Sequence, residues 1–164
     1  WAYEPSGGLW EKLADLPSYY APISTLSSTP FGATSMALFG GEKTTNKFGN
    51  GALFDSTTKV FREIVAPTTE LGAEPKRVYA TLFFADGKLW VHGGSTSKGF
   101  DAHSATWDPA TGKWTAVDTG LGERMAASAT ASHDDTFVFG GRRTGTPPAY
   151  FDHLSDGRIL RHSR

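Results

Sequence analysis

Residues 77–94 read Arg77-Val78-Tyr79-Ala80-Thr81-Leu82-Phe83-Phe84-Ala85-Asp86-Gly87-Lys88-Leu89-Trp90-Val91-His92-Gly93-Gly94, and this stretch decides the fold. Its first eight residues, Arg77 to Phe84, are rich in β-branched and aromatic side chains, which suit a pleated, half-buried surface. Ala85-Asp86-Gly87-Lys88 follows with an Asp-Gly turn, the strongest short-range signal of a β-hairpin. Leu89 to His92 is the return strand, and it stops at Gly93-Gly94. Beyond lie a polar loop from Ser95 to Asp101, a third strand over His103–Asp108, a turn over Pro109–Gly112 and a fourth strand over Lys113–Val117. The stretch therefore predicts a four-stranded antiparallel meander.

Working outward, the same pattern recurs. Trp107 lies 13 residues after Gly94, and Trp114 seven further on; Phe54 and Phe61 stand at those offsets from Gly41. A third pair, Gly140-Gly141, comes 47 residues after Gly93-Gly94, and the first, Gly40-Gly41, comes 53 before it. Counting back 16 residues from the first Gly of each pair gives Ser24, Arg77 and Arg124 as equivalent positions. In the first copy, strands over Thr25–Ser28 and Ser35–Phe39 are expected to flank a turn around Pro30-Phe31-Gly32. In the third, Ala126–Ser132 and Thr136–Phe139 flank Asp134-Asp135. At the N-terminus, Tyr3-Glu4-Pro5 matches Trp107-Asp108-Pro109, and Trp10 follows Tyr3 by seven. Residues 1–14 thus read as the outer two strands of a partial copy, with copies over 20–65, 76–118 and 123–163 in a single repeat region spanning 1–164. A period near 50 signals radial repetition. Glu11 to Leu16 is too short for an independent helix.

Composition narrows the partners. The 164 residues are 38% hydrophobic and 13% aromatic, a balance suited to short strands packed through large rings rather than to a Leu/Ala-rich helical core. A net charge of -1 argues against nucleic acid as the partner. No run of 18 apolar residues occurs, so no transmembrane helix and no membrane insertion are expected. The chain has no Cys, hence no disulfide framework and no thiolate metal site. Residue 1 is Trp, so the chain is expected to be part of a longer protein.

These features resemble the kelch repeat, a double glycine followed by an aromatic on the third strand and Trp on the fourth. The resemblance rests on Tyr3-Glu4-Pro5 with Trp10, Gly40-Gly41 with Phe54 and Phe61, and Gly93-Gly94 with Trp107-Asp108-Pro109 and Trp114. It departs in two places. Phe61 replaces the usual Trp, and in the third copy Phe151 comes 11 residues after Gly140, with Ile159 or Leu160 where Trp is expected. The resemblance implies an all-β fold: a kelch-type β-propeller with three four-stranded antiparallel blades and a partial N-terminal blade. Three and a half blades cannot close a ring. The chain is therefore expected to be a fragment of a closed propeller, or to be completed by blades from missing sequence or a second chain.

Catalytic arrangements do not emerge. Gly93-Gly94-Ser95-Thr96-Ser97 fails the G-x-S-x-G pattern at its last position, and Phe100 stands where the Lys of a P-loop would follow Gly99. The five histidines show no H-E-x-x-H spacing. His92 reads as a structural strand residue, and Asp101 with His103 as a poor metal pair; no metal and no cofactor are expected. Among kelch enzymes, a copper radical site needs a Cys that this chain lacks. The resemblance instead implies a binding face, made of the residues that start the first strand and those just after the double glycine. By position these are Ser24, Arg77 and Arg124, then Glu42, Lys43, Ser95, Arg142 and Arg143. Four arginines at one channel mouth would suit carboxylates or phosphates, which the guanidinium fork binds bidentately. The expected function is a non-catalytic scaffold that binds a protein or acidic peptide through loops at one end of a channel. The alternative is a portion of a secreted carbohydrate-active enzyme or lectin. Phe48 and Phe100 are read as the only rings in the loops before the third strands, which favours protein over sugar. The basic run Arg158, Arg161, His162, Arg164 reads as a solvated tail.

Overall fold

The computed structural model describes residues 2–22, 24–132 and 135–161. Trp1, Asp134 of the expected third-copy turn, and His162 and Arg164 of the basic tail lie outside the described residues. Every element among those described is a β-strand. At the N-terminus β1 (Ala2–Glu4) and β2 (Leu9–Glu11) form a two-stranded hairpin. A first four-stranded sheet is built from β3 (Ser27–Phe31) and β4 (Ser35–Phe39), then, after the small hairpin β5 (Glu42–Lys43) and β6 (Asn46–Lys47), from β7 (Gly51–Asp55) and β8 (Val60–Ile64). The second repeats the design with β9 (Thr81–Ala85), β10 (Lys88–His92), the hairpin β11 (Ser95–Thr96) and β12 (Gly99–Phe100), β13 (Ser104–Trp107) and β14 (Trp114–Val117). The third contains β15 (Ser128–Ala131) and β16 (Asp135–Phe139), the hairpin β17 (Arg142–Thr144) and β18 (Phe151–His153), and β19 (Gly157–Arg161). Within each sheet the strands are antiparallel and neighbours in sequence order, a plain meander.

The register explains the aromatic spacing. Trp107 faces Leu89 on one side and Trp114 on the other; Phe54 faces Met36 and Phe61 in the same way. The seven-residue interval is a tight turn, closed both times by an Asp. The Asp55 carboxylate accepts from the Thr57 and Thr58 amides, and Asp108 from Ala110. Those amide bonds hold both carboxyls below the usual range. Tyr3 opposes Trp10 in the N-terminal hairpin, rings 5.2 Å apart, but there the pair is exposed.

Three expectations are corrected. First, Pro30 and Phe31 belong to β3 rather than to a turn; β3 is an edge strand, where Pro costs no ladder bond, and the turn is Gly32-Ala33-Thr34. Second, that turn is one residue longer than Asp86-Gly87, which shifts everything upstream by one. Ser24 bridges Glu42 as Val78 bridges Ser95 and Met125 bridges Arg142, so Ser24 is equivalent to Val78, not to Arg77. The matching position in the first copy is residue 23, outside the described residues. Third, the last sheet has three strands among the described residues. The segment with Ile159 and Leu160 is its third strand rather than its fourth, with Leu160 facing Thr136 where Trp107 faces Leu89. The longer excursion through β17 and β18 displaces it.

The sheets stack face to face. One buried cluster joins Phe31, Phe39, Leu53 and Ile64 of the first sheet to Leu82, Leu89, Val91 and Trp107 of the second. Another joins Phe83 and Trp90 to Leu121, Val138 and Leu160. Burying each such side chain contributes about 1.5–3 kcal/mol. The double glycines set the approach. Gly41 N–H donates to the Arg77 carbonyl (3.0 Å) and Gly94 N–H to the Arg124 carbonyl (2.8 Å). A Cβ on Gly40 would lie 2.6 Å from the first of these oxygens, and one on Gly93 2.0 Å from the second. Gly140 has the same conformation (φ 69°), yet the nearest atom to its Cβ position is the Leu154 carbonyl, 3.6 Å away. On that outer face Phe139 is 58% exposed and Phe137 43%, where of their equivalents in the second sheet His92 is buried and Trp90 packs against Val138 and Leu160 of the third.

Candidate binding site

Arg77 and Arg124 turn inward. Each enters the first strand of its sheet, and its carbonyl takes the amide of the preceding sheet's double glycine. Its side chain then reaches forward to its own sheet's double glycine. Arg77 Nη1 donates to the Gly93 carbonyl (2.8 Å), Nη2 to Leu71 (2.7 Å) and Glu74 (3.1 Å), and Nε to Pro75 (3.1 Å). Arg124 Nη1 donates to Gly140, and Nη2 to both Asp156 carboxylate oxygens, at 3.1 and 3.3 Å. Arg77 is 0% exposed and Arg124 2%. Burial lowers the Arg77 pKa, opposed by the Asp101 charge. Arg77 donates to backbone carbonyls and Arg124 to the Gly140 carbonyl and the Asp156 carboxylate, with Arg124 Nε unpartnered among the described residues; both are cross-links between linker, strand end and double glycine. They are withdrawn from the binding face to which the sequence assigned them.

His92 feels the charge of both arginines. It is buried, and its Nδ1 is 2.7 Å from Ser104 Oγ, which is 3.1 Å from Thr119 Oγ1. Burial, reinforced by the Arg124 charge, pushes its pKa down to about 4. The ring is neutral at pH 7 and structural. Asp101 accepts from the His103 amide (2.6 Å) and sits 2.8 Å from its Nδ1. No cluster of three potential metal ligands occurs among the described residues.

The remaining predicted residues occupy the end of the scaffold where the small hairpins lie. Ser24 and Glu42 pair through their backbones; Ser95 is half-buried and pairs with Val78; Lys43, Arg142 and Arg143 are exposed. The hairpins support one another. Lys47 Nζ of the first donates to the Ser95 (3.2 Å) and Thr96 (2.7 Å) carbonyls of the second. Phe100 of the second stacks on Phe151 of the third, with centroids 6.2 Å apart and planes 18° apart. They form one continuous surface.

Strand alternation separates the two adjacent arginines. Arg143 points with Asp152 to one side, Nε to Oδ2 3.4 Å. Arg142, Phe151 and His153 point to the other, where Arg142 lies 5.4 Å above the Phe151 ring. They line a cleft of about 580 Å³ with Tyr79, Met125, Ala126 and Gly141. Tyr79 and Ala126 hold equivalent left-handed conformations, φ 56° and 52°, and Ala126 N–H donates to the Tyr79 carbonyl (2.9 Å). Thr25 holds the same conformation in the first copy (φ 57°), so the left-handed residue belongs to each junction and is not peculiar to this cleft.

Sequence reasoning missed Tyr79, Phe151 and His153. Their signal was the alternation in Arg142–Thr144 and Phe151–His153, hidden because Phe151 was aligned with the third strand. The same misalignment hid Tyr150, 88% exposed, and Phe151 as loop rings, so the count of Phe48 and Phe100 alone is corrected. No family model matches this chain, and no curated protein matches it.

Proposed function

We propose that the chain is a section of a kelch-type β-propeller and serves as a non-catalytic module that binds a protein or acidic peptide. Support for the propeller is the junction geometry. Two double glycines each accommodate the next sheet's Arg carbonyl, and the third offers the same conformation with its face open. A further sheet, from the same protein or a second chain, would cover Phe137 and Phe139. The observation that carries the binding reading is the hairpin surface: three mutually braced hairpins on a rigid stack, bearing exposed Lys43, Arg142 and Arg143. Function concentrates on such loops.

The test is an array of acidic decapeptides beside their Asn/Gln counterparts, probed with wild type and with Lys43→Gln/Arg142→Gln/Arg143→Gln. These cations replace Arg77 and Arg124 as targets because altering the latter would damage the scaffold. Charge-dependent capture that the triple variant loses is expected; a wild type that captures no acidic peptide would remove the reading. The second reading, a sugar-binding portion of a carbohydrate-active protein, draws on the exposed Tyr150 ring beside the Phe100–Phe151 stack. A glycan array addresses it.

A further inference from the structure

We infer that the cleft between Tyr79 and the third hairpin is the anion subsite of this surface, and that it takes a carboxylate carried beside an apolar group. The inference rests on the peptide-binding reading above and assigns its specificity to one pocket. Of the four arginines that sequence position brought to this end, three are spent. Arg77 and Arg124 are buried on backbone carbonyls, Arg124 on the Asp156 carboxylate as well, and Arg143 is paired with Asp152. Only Arg142 keeps a guanidinium with no carboxylate partner among the described residues.

That guanidinium is oriented. It lies over Phe151, and Phe151 is held by stacking on Phe100. A planar cation resting on a ring keeps its N–H edge free for a bidentate acceptor and loses little conformational freedom on binding. His153 is its cross-strand partner on the same face and offers a second polar group to the anion. The opposite wall is Tyr79, Met125 and Ala126, with Tyr79 44% exposed and Met125 buried. The cleft thus pairs one cation and one imidazole with an apolar wall. This suits an acidic residue followed by an aromatic or aliphatic one better than a bare inorganic ion.

The probe is N-acetyl-Glu-Phe-amide, titrated calorimetrically against its Gln-Phe counterpart, inorganic phosphate and glucuronate. The Glu-Phe probe should bind, the Gln-Phe form at least about tenfold more weakly, because charge-assisted bonds roughly double a neutral one. Arg142→Gln should weaken Glu-Phe by a similar factor and Arg142→Lys by less, while Lys88→Gln, at the opposite end of β10 from the hairpins, should leave it within about twofold. His153→Phe should reduce affinity for Glu-Phe and not for Gln-Phe. Equal binding of Glu-Phe to wild type and Arg142→Gln would overturn the inference, and if acidic decapeptides were still captured the general reading would stand without it. Preference for glucuronate over Glu-Phe would overturn the peptide assignment in favour of a sugar acid, and preference for phosphate would overturn the need for an apolar neighbour.

Discussion

Replacing Gly93 with Ala tests the sheet-stacking geometry most directly, because Gly87 and Gly140 provide internal controls. All three adopt left-handed backbone, φ 62°, 69° and 69°. The conformational cost of a side chain there is shared, about 1–2 kcal/mol. The surroundings differ. A Cβ on Gly87 meets nothing within 4 Å, and one on Gly140 meets the Leu154 carbonyl at 3.6 Å. On Gly93 it would lie 2.0 Å from the Arg124 carbonyl oxygen and 3.1 Å from its carbon. Neither atom is a flexible chain end. The second and third sheets must separate, and the Gly94 N–H to Arg124 carbonyl bond (2.8 Å) is the first contact to suffer. Loss of a buried bond of that kind adds about 1–3 kcal/mol. Gly93→Ala should therefore lose about 2–5 kcal/mol, against about 1–2 for Gly87→Ala and Gly140→Ala. Urea unfolding followed by Trp fluorescence reads the difference. Equal losses at Gly93 and Gly140 would refute the argument that close approach, and not backbone conformation alone, requires the glycine.

His92 predicts a pH dependence. Its folded pKa is depressed to about 4, so the native state favours the neutral ring. Stability should be full above about pH 6.5 and fall as pH drops toward 4, by on the order of 3 kcal/mol at 1.36 kcal/mol per unit. The unfolding curves of wild type and His92→Gln should converge between pH 7 and 4, and parallel curves would contradict this. Arg77→Met strips four backbone carbonyls of a donor and should cost roughly 2–4 kcal/mol in urea unfolding, whereas Arg143→Gln should change stability by less than about 0.5. Trp107→Ala empties a site 2% exposed and should cost about 3–5 kcal/mol. Trp10→Ala, 66% exposed in the N-terminal hairpin, should be close to neutral by the same assay.

The fold class was legible in local chemistry. Asp86-Gly87 specifies a two-residue turn with both residues at positive φ, 52° and 69°, whatever surrounds it. The Asp55 and Asp108 turns likewise carry their own amide acceptors, so the aromatic pairs across them could be read from spacing. Longer-range register was less legible. A turn lengthened by one residue at Gly32-Ala33-Thr34 moved Ser24 out of line with Arg77, and no local signal marks such a slip. The β17–β18 excursion displaced Leu160 from the fourth strand to the third, because strand rank depends on which neighbour accepts the edge.

The site was legible only in outline. Sequence placed Arg77, Arg124, Arg142 and Arg143 near one another, and nothing in a sequence distinguishes an arginine spent on carbonyls from a free one. That choice belongs to the packing. A double glycine lets the next sheet's backbone approach, its carbonyls need donors away from water, and the buried guanidiniums supply them. Sequence by itself determined strands, turns and the repeating interval, since these depend on residues a few positions apart. Tertiary structure alone decided which cations remain available, because desolvation and hydrogen-bond geometry arise only when the sheets stack.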